Sequence, residues 1–326
     1  MRTFLLNIVL ATLFVLPTVH AQTTSEFLRT NPKFLAAFSE VTAKFAPSTV
    51  RVQADGKDTY LGVIITSDGW ILTKAHELRG KITCVLHDGQ KLDAKLIGVH
   101  ELNDLAMLKV TARSLSPITF TSSNVIKPGA WVASVGQAKE PVAVGVVGTA
   151  ARKVYEAYLG VLVETTPRGL TVLNIAPKSA AFKAGLTPKD ILLQIDKRKL
   201  ANPDELMDLL GDYRPGDTLT LKLRRGDKDL ELKLMLQSRE DVGDFRTEFQ
   251  NRLGSDLSTR RTGYGVILQH DSVVKPGDCG SPIVDLKGRV LGINISRAGR
   301  VETWAIPSEV IQPLIGELKS GGLAPK

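Results

Sequence analysis

A mainly β protein with a smaller α+β module set inside it is predicted by three features of this 326-residue chain. The first is a series of short apolar runs separated by turn residues, such as Val63-Ile64-Ile65, Asp68-Gly69 and Trp70-Ile71-Leu72-Thr73. Runs this short, rich in β-branched residues, read as buried strands rather than helices. The second is the loop Gly277-Asp278-Cys279-Gly280-Ser281-Pro282, which lies between the apolar runs Val266 to Asp271 and Gly288 to Asn294. The third is a change of pattern after Tyr158, where strand runs alternate with helix signals.

Taken in order, Met1-Arg2, an apolar run from Phe4 to Leu16, Pro17 and Val19-His20-Ala21 form a Sec-type signal peptide, with cleavage expected after Ala21. The run is too short for a comfortable membrane span, so a periplasmic or secreted protein is expected. Gln22 to Ala46 is predicted as a helix ended by Pro47, with Phe34, Phe38, Val41 and Phe45 at helical spacing. Tyr60 to Thr73 is predicted as a hairpin, with Asp68-Gly69 in a type I′ turn that requires positive φ. Its second strand runs into Lys74-Ala75-His76, placing His76 just past a strand end. In Ile82-Thr83-Cys84-Val85-Leu86, alternation puts Cys84 on the face of Ile82 and Leu86, where core packing is its expected role. Asn103-Asp104 precedes another buried strand, Leu105 to Val110.

His76, Asp104 and Cys279 therefore follow one another in the chain order of a catalytic triad that runs His, Asp, nucleophile. A thiolate is a better nucleophile than a neutral hydroxyl, and a neighbouring imidazole can lower a thiol pKa into the useful range. Cysteine at the third position is thus compatible with acyl-enzyme chemistry. Ser281 reads as loop structure, and the other histidines have no comparable setting.

On these segments, from Gly62 to Leu78, Asp88-Gly89, Asn103 to Val110, Val266 to Asn294 and Trp304 to Pro307, the chain resembles the HtrA family of trypsin-like, PDZ-containing proteases. The resemblance implies a two-barrel chymotrypsin/trypsin-like fold with an inserted PDZ-like α+β domain. It implies an exported endopeptidase that cleaves unfolded or damaged envelope proteins. Cys279 would attack, His76 would act as base and then acid, and Asp104 would orient His76. The backbone N–H groups of Gly277 and Cys279 would form the oxyanion hole. Val274 and Arg297 would shape the specificity pocket, where arginine departs from the apolar preference expected of the family. The alternative reading is a pseudoprotease that binds peptides or acts as a chaperone in the envelope. A regulator inhibited by Cys84–Cys279 oxidation is the weakest of the three readings.

Residues 153–237 resemble a bacterial PDZ domain, a module that captures peptide C-termini by adding a strand beside a helix. Tyr158-Leu159-Gly160-Val161 matches the loop whose amides bind a terminal carboxylate. Asn202 is expected to cap a helix that has Pro203 first, Glu205 three residues after the cap, Leu206, Leu209 and Leu210 on its apolar face, and Gly211 at its end. The order is unusual, because the PDZ segment interrupts the protease. The expected divisions are a signal peptide at 1–21, an N-terminal helical segment at 22–47, the protease at 48–152 and 263–320, PDZ at 153–237 and a polar linker at 238–262.

The formal charge of +8 is scattered rather than patterned with aromatic residues, so a solvated basic surface is expected and no nucleic-acid partner. Histidines and cysteines lack ligand spacing, so no metal and no cofactor is expected. The expected partners are unfolded proteins, peptide C-termini and, through the N-terminal aromatics, a homo-oligomer such as the trimers of HtrA-like proteins. Packing of those aromatics on the protease domain is the preferred alternative to an oligomer contact.

Overall fold

The computed structural model describes residues 28–154, 157–238 and 256–323. The expected signal peptide, and residues 239–255 of the expected polar linker, lie outside the described residues.

The chain enters as α1 (Pro32–Ala36), capped by the Asn31 side chain on the Lys33 N–H, and α2 (Ser39–Thr42), followed by a 3₁₀ stretch from Ala43 to Ser48. The single helix expected up to Pro47 is thus broken into short pieces. Ala37 and Phe38 intervene between the α-helices, and Pro47 lies within the 3₁₀ stretch. Tertiary packing decides this geometry: Phe34 and Phe38 tilt against each other at 5.5 Å and against Trp131 at 6.1 and 5.9 Å. Phe34, Phe38, Val41 and Phe45 all pack on the core that joins the barrels.

Strands β1 (Thr49–Ala54), β2 (Lys57–Thr66), β3 (Trp70–Lys74), β4 (Ile82–Val85), β5 (Lys91–His100) and β6 (Leu105–Val110) close a barrel in the order β1-β2-β3-β6-β5-β4. The apolar runs of β2, β3 and β6 are continuous because both faces are buried, whereas β5 alternates with exposed polar residues. Ile64, Ile71 and Leu108 point into this barrel with Cys84, while Val63, Leu72 and Met107 face the second barrel. The β2–β3 hairpin corrects one expectation. Its connection is the three residues Ser67, Asp68 and Gly69; only Gly69 has positive φ (101°), so the turn is not type I′. Three-residue hairpin loops end on such a left-handed residue, which absorbs the bulge.

After β7 (Trp131–Ser134) and β8 (Ala143–Lys153) the chain leaves to build the module: β9 (Ala157–Tyr158), β10 (Val161–Thr166), β11 (Gly169–Ile175), α3 (Ala180–Lys183), β12 (Ile191–Ile195), β13 (Arg198–Lys199), α4 (Pro203–Leu210), β14 (Thr218–Arg225), β15 (Lys228–Met235) and β16 (Gln237–Ser238). The main sheet runs β10-β11-β12-β14-β15, which leaves β10 as an edge strand. A separate apolar core, with Leu170, Leu192, Leu209 and Leu221 at its centre, holds the module together.

The chain then returns through β17 (Val266–His270), β18 (Pro282–Asp285), β19 (Val290–Gly299) and β20 (Glu302–Pro307), and ends in α5 (Ser308–Ser320). These strands join β7 and β8 in a second closed barrel, ordered β17-β20-β19-β18-β7-β8. Strands from both sides of the module therefore complete one barrel. Exit and re-entry lie side by side: the Val154 N–H donates to Gly265 O at 3.0 Å, and β9 pairs with β16 through Tyr158 and Gln237. Close ends are what make an inserted domain tolerable. Among the described residues no helix is long and apolar enough to cross a membrane.

Candidate active site and peptide groove

His76 follows the end of β3 by two residues, and Asp104 stands immediately before the neighbouring β6. Asp104 is buried at φ 55°. Its carbonyl accepts the Ala75 N–H at 2.8 Å, and its Oδ1 accepts the His76 backbone N–H at 2.6 Å. The other carboxylate oxygen accepts a 2.6 Å hydrogen bond from Lys74 Nζ and lies 3.2 Å from the Tyr264 hydroxyl. Asp104 is thereby joined to the main chain of His76, while its second oxygen serves a lysine instead of the imidazole.

Lys74 is 1% exposed. Beyond Asp104, its ammonium donates to Ile295 O at 2.8 Å and to the Tyr264 hydroxyl at 3.2 Å, which uses all three of its protons. A buried ammonium needs such complete pairing, because the desolvation penalty is otherwise unrecovered. Lys74 is the main residue that sequence reasoning passed over. A signal existed: in Trp70-Ile71-Leu72-Thr73-Lys74 the lysine ends a strand buried on both faces, where a solvated charge has no place.

Cys279 is fully buried in a small cluster with Tyr60, Ala143 and Val274. Burial pushes its thiol pKa up, against a smaller opposing pull from the Lys74 charge. Its Sγ lies 3.8 Å from Ser258 Oγ and 3.9 Å from Lys275 O. The loop is a 3₁₀ turn, Pro276–Asp278, and the Cys279 N–H donates to Pro276 O at 3.2 Å. One of the two expected oxyanion donors is thus engaged inside the loop in this conformation. Arg51 fixes the turn from the first barrel, donating to Gly277 O at 2.7 Å and to Asp278 Oδ1 at 3.1 Å. Gly280 has φ 89°, and a Cβ there would lie 1.8 Å from Leu61 O. Only glycine permits this approach, which brings the Leu61 N–H onto Cys279 O at 2.9 Å. The Ser281 hydroxyl accepts from Asn294 Nδ2, whose Oδ1 meets His270 Nε2, both at 2.9 Å. Burial holds His270 down to about 4, so this network beneath the loop is neutral.

Val274 is buried beside Cys279. Arg297, also 1% exposed, donates to Ser272 O at 2.9 Å, Thr303 Oγ1 at 3.1 Å and Arg300 O, and meets no carboxylate among the described residues. Its Nε has no hydrogen-bond partner among the described residues. A cavity of about 530 Å³ opens beside the loop, with Tyr60, Lys74 and Glu77 on one wall and Ser258, Pro276 and Gly277 on the other.

The module holds a second concavity of about 600 Å³, between β10 and α4, lined by Tyr158, Leu159, Gly160 and Val161 with Leu206, Met207 and Leu210. Leu206, Leu209 and Leu210 all belong to the module's apolar core, and of the three Leu209 does not line the groove. Gly160, at φ 84°, packs where a Cβ would meet Ser179 Cβ at 2.1 Å. The Asn202 side chain accepts the Glu205 N–H at 2.8 Å, and Glu205 returns a bond to the Ala201 N–H at 2.9 Å, a reciprocal cap that fixes the start of α4. Leu162 and Met207 leave apolar surface exposed along this groove.

Comparison with known proteins agrees with this architecture. Residues 157–236 match the PDZ domain family, and residues 61–182 match the trypsin-like peptidase domain family. The two matches overlap at 157–182, and there the strand pairing assigns the residues to the module sheet. A relative from Halomonas elongata named "Probable periplasmic serine endoprotease DegP-like" is 24% identical over 81% of this chain and 75% of its own length. Relatives of the same name from Chlamydia muridarum and Hahella chejuensis are 38% identical over 28% of this chain and 25% identical over 56% of it. This chain spans only 19% and 58% of the lengths of those two relatives. The molecule has a trypsin-like pair of six-stranded barrels carrying a PDZ domain.

Proposed function

We propose that this protein is an exported, HtrA-like endopeptidase acting on unfolded envelope proteins, with its cleft held latent in the conformation described and its PDZ groove recognising peptide C-termini. The observation that carries the reading is the setting of His76 and Asp104 beside strand ends of the first barrel and of Cys279 in a tight loop of the second, with a groove between β10 and α4 on the same chain. The relatives named periplasmic endoproteases support both the compartment and the reaction class.

The mechanism follows from the side chains. Cys279 Sγ gives its proton to the His76 imidazole as it attacks a peptide carbonyl. The peptide C–N bond then breaks as the imidazolium returns that proton to the departing amine, leaving a thioester on Cys279. Water activated by His76 hydrolyses the thioester and regenerates the thiol. The backbone N–H groups of Gly277 and Cys279 stabilise the oxyanion once the Cys279 N–H leaves Pro276 O. Asp104 holds His76 once its carboxylate is free of Lys74. Val274 and Arg297 form the wall that receives the side chain preceding the cleaved bond.

A second reading is favoured by the Lys74–Asp104 ion pair and the raised thiol pKa of buried Cys279: a pseudoprotease that binds peptides without cleaving them. Digestion of an unfolded protein under reducing conditions separates the two. The peptidase reading expects activity in the wild type and loss in Cys279→Ala and His76→Ala, with Cys279→Ser retaining part of it. No cleavage by any of the four, with peptide binding intact, leaves the pseudoprotease. Equal cleavage by all four removes the triad.

A further inference from the structure

The pairing of β19 with β18 ends at Ile293, and Asn294 still bonds Gly280 and Ser281 of the Cys279 loop; beyond Asn294 the strand turns an edge past Cys279 at Arg297. In a barrel protease such an edge is where an extended peptide could lay its main chain. Here it is taken. The Ser258 N–H donates to Arg297 O at 3.1 Å, and the Arg297 N–H donates to Ser258 Oγ at 2.9 Å. Two residues further on, Arg260 O accepts from Ser296 Oγ at 2.9 Å and lies 3.2 Å from the Tyr264 hydroxyl. The same arginine crosses to the first barrel, where its guanidinium donates to Glu101 O at 2.6 Å and Leu102 O at 3.0 Å and stands 4.0 Å from Asp104. Ser258 is 3% exposed and carries the hydroxyl next to the Cys279 sulfur.

We infer that residues 256–262, the segment through which the chain returns from the PDZ domain, are a built-in pseudosubstrate. They occupy the docking edge of β19, bury the thiol of Cys279 and span the cleft to the Asp104 side. An external peptide reaches Cys279 only after this strap leaves. The inference rests on the peptide-processing reading of the Cys279 cleft, but its physical content is the accessibility of one sulfur.

Thiol chemistry tests it without requiring turnover. Iodoacetamide alkylation of the full chain is followed at each cysteine by peptide mass, with Cys84 in the first-barrel core as the internal reference. Ser258→Pro removes both the N–H that meets Arg297 O and the hydroxyl beside Cys279. Arg260→Gln releases the anchor on Glu101 and Leu102. Each variant is expected to alkylate at Cys279 about tenfold faster or more, because reaction through local opening tracks the opening equilibrium. Cys84 is expected to stay silent. An excess of the free peptide Asp-Leu-Ser-Thr-Arg-Arg-Thr, the sequence of residues 256–262, is expected to slow Cys279 again in both variants. Cys279 rates unchanged from the wild type in both folded variants overturn the strap. A parallel rise at Cys84, marking a general loosening of the barrels, overturns it equally. A thiol opened in the variants without cleavage of unfolded protein supports the strap and removes the peptidase reading instead.

Discussion

Lys74 concentrates the chemistry of the cleft in one side chain. His76, Asp104 and Cys279 could be proposed from the sequence because each sits at a strand end or tight loop, where local pattern and chain order single it out. The pairing of Lys74 could not be read there, because its partners Asp104, Tyr264 and Ile295 come from three separate segments that meet only in the folded barrels. The same holds for Ser258, whose role depends on a long-range contact with Arg297. Lys74→Met should lower the free energy of unfolding by about 3–5 kcal/mol, since Asp104 then remains buried without its counter-ion. The double variant Lys74→Met/Asp104→Asn should recover part of that loss, because no uncompensated charge is left. Urea unfolding of the two variants and the wild type checks this. A small cost for Lys74→Met with no recovery in the double variant would mean that the pair contributes little.

At the level of elements, the β10–α4 groove is the part of the molecule best matched to its sequence. Asn202, Pro203 and Glu205 fix the start of α4 through short-range bonds, so a local reading finds it. Which leucines face the peptide was not legible, because Leu206, Leu209 and Leu210 share one apolar face. Only the placement of β10 lets Leu206 and Leu210 line the groove while all three leucines share the core. The N-terminal segment is the opposite case. Its helical spacing was real, yet the Phe34–Phe38–Trp131 cluster and Pro47 break it into short pieces. The groove prediction concerns its carboxylate loop. A peptide ending in a free carboxylate should bind about tenfold tighter or more than the same peptide amidated, the loss expected from charged hydrogen bonds. Gly160→Ala should abolish the difference, since φ 84° and the 2.1 Å approach to Ser179 force the loop to move. Fluorescence polarisation of a labelled peptide reads both effects. Equal affinity of the two peptides for the wild type would take the carboxylate out of the recognition.

At the scale of the whole molecule, the nested topology decides how the two cores can influence each other. Among the described residues the PDZ core shares no apolar cluster with the barrels, and the chain crosses between them at the β9–β16 pair and beside the Val154–Gly265 bond. Those crossings belong to the second barrel, the one that carries Cys279, while β1 to β6 form a closed unit of their own. A ligand that binds only the folded PDZ domain at a hundred times its Kd stabilises that domain by about 2.7 kcal/mol, about a hundredfold in exchange protection. Amide exchange with bound peptide should therefore slow about a hundredfold at the PDZ core positions Leu170, Val172, Leu192 and Leu221, where exchange proceeds by opening of that domain. A smaller slowing should appear at Val154, whose amide bonds Gly265 across the neck, and none at Leu72 or Ile71 in the first barrel. Equal slowing in both barrels would instead mean that the whole chain opens as one cooperative unit. Slowing that stops short of Val154 would leave the neck as a passive hinge, and the Cys279 loop would then have no route by which to sense a peptide.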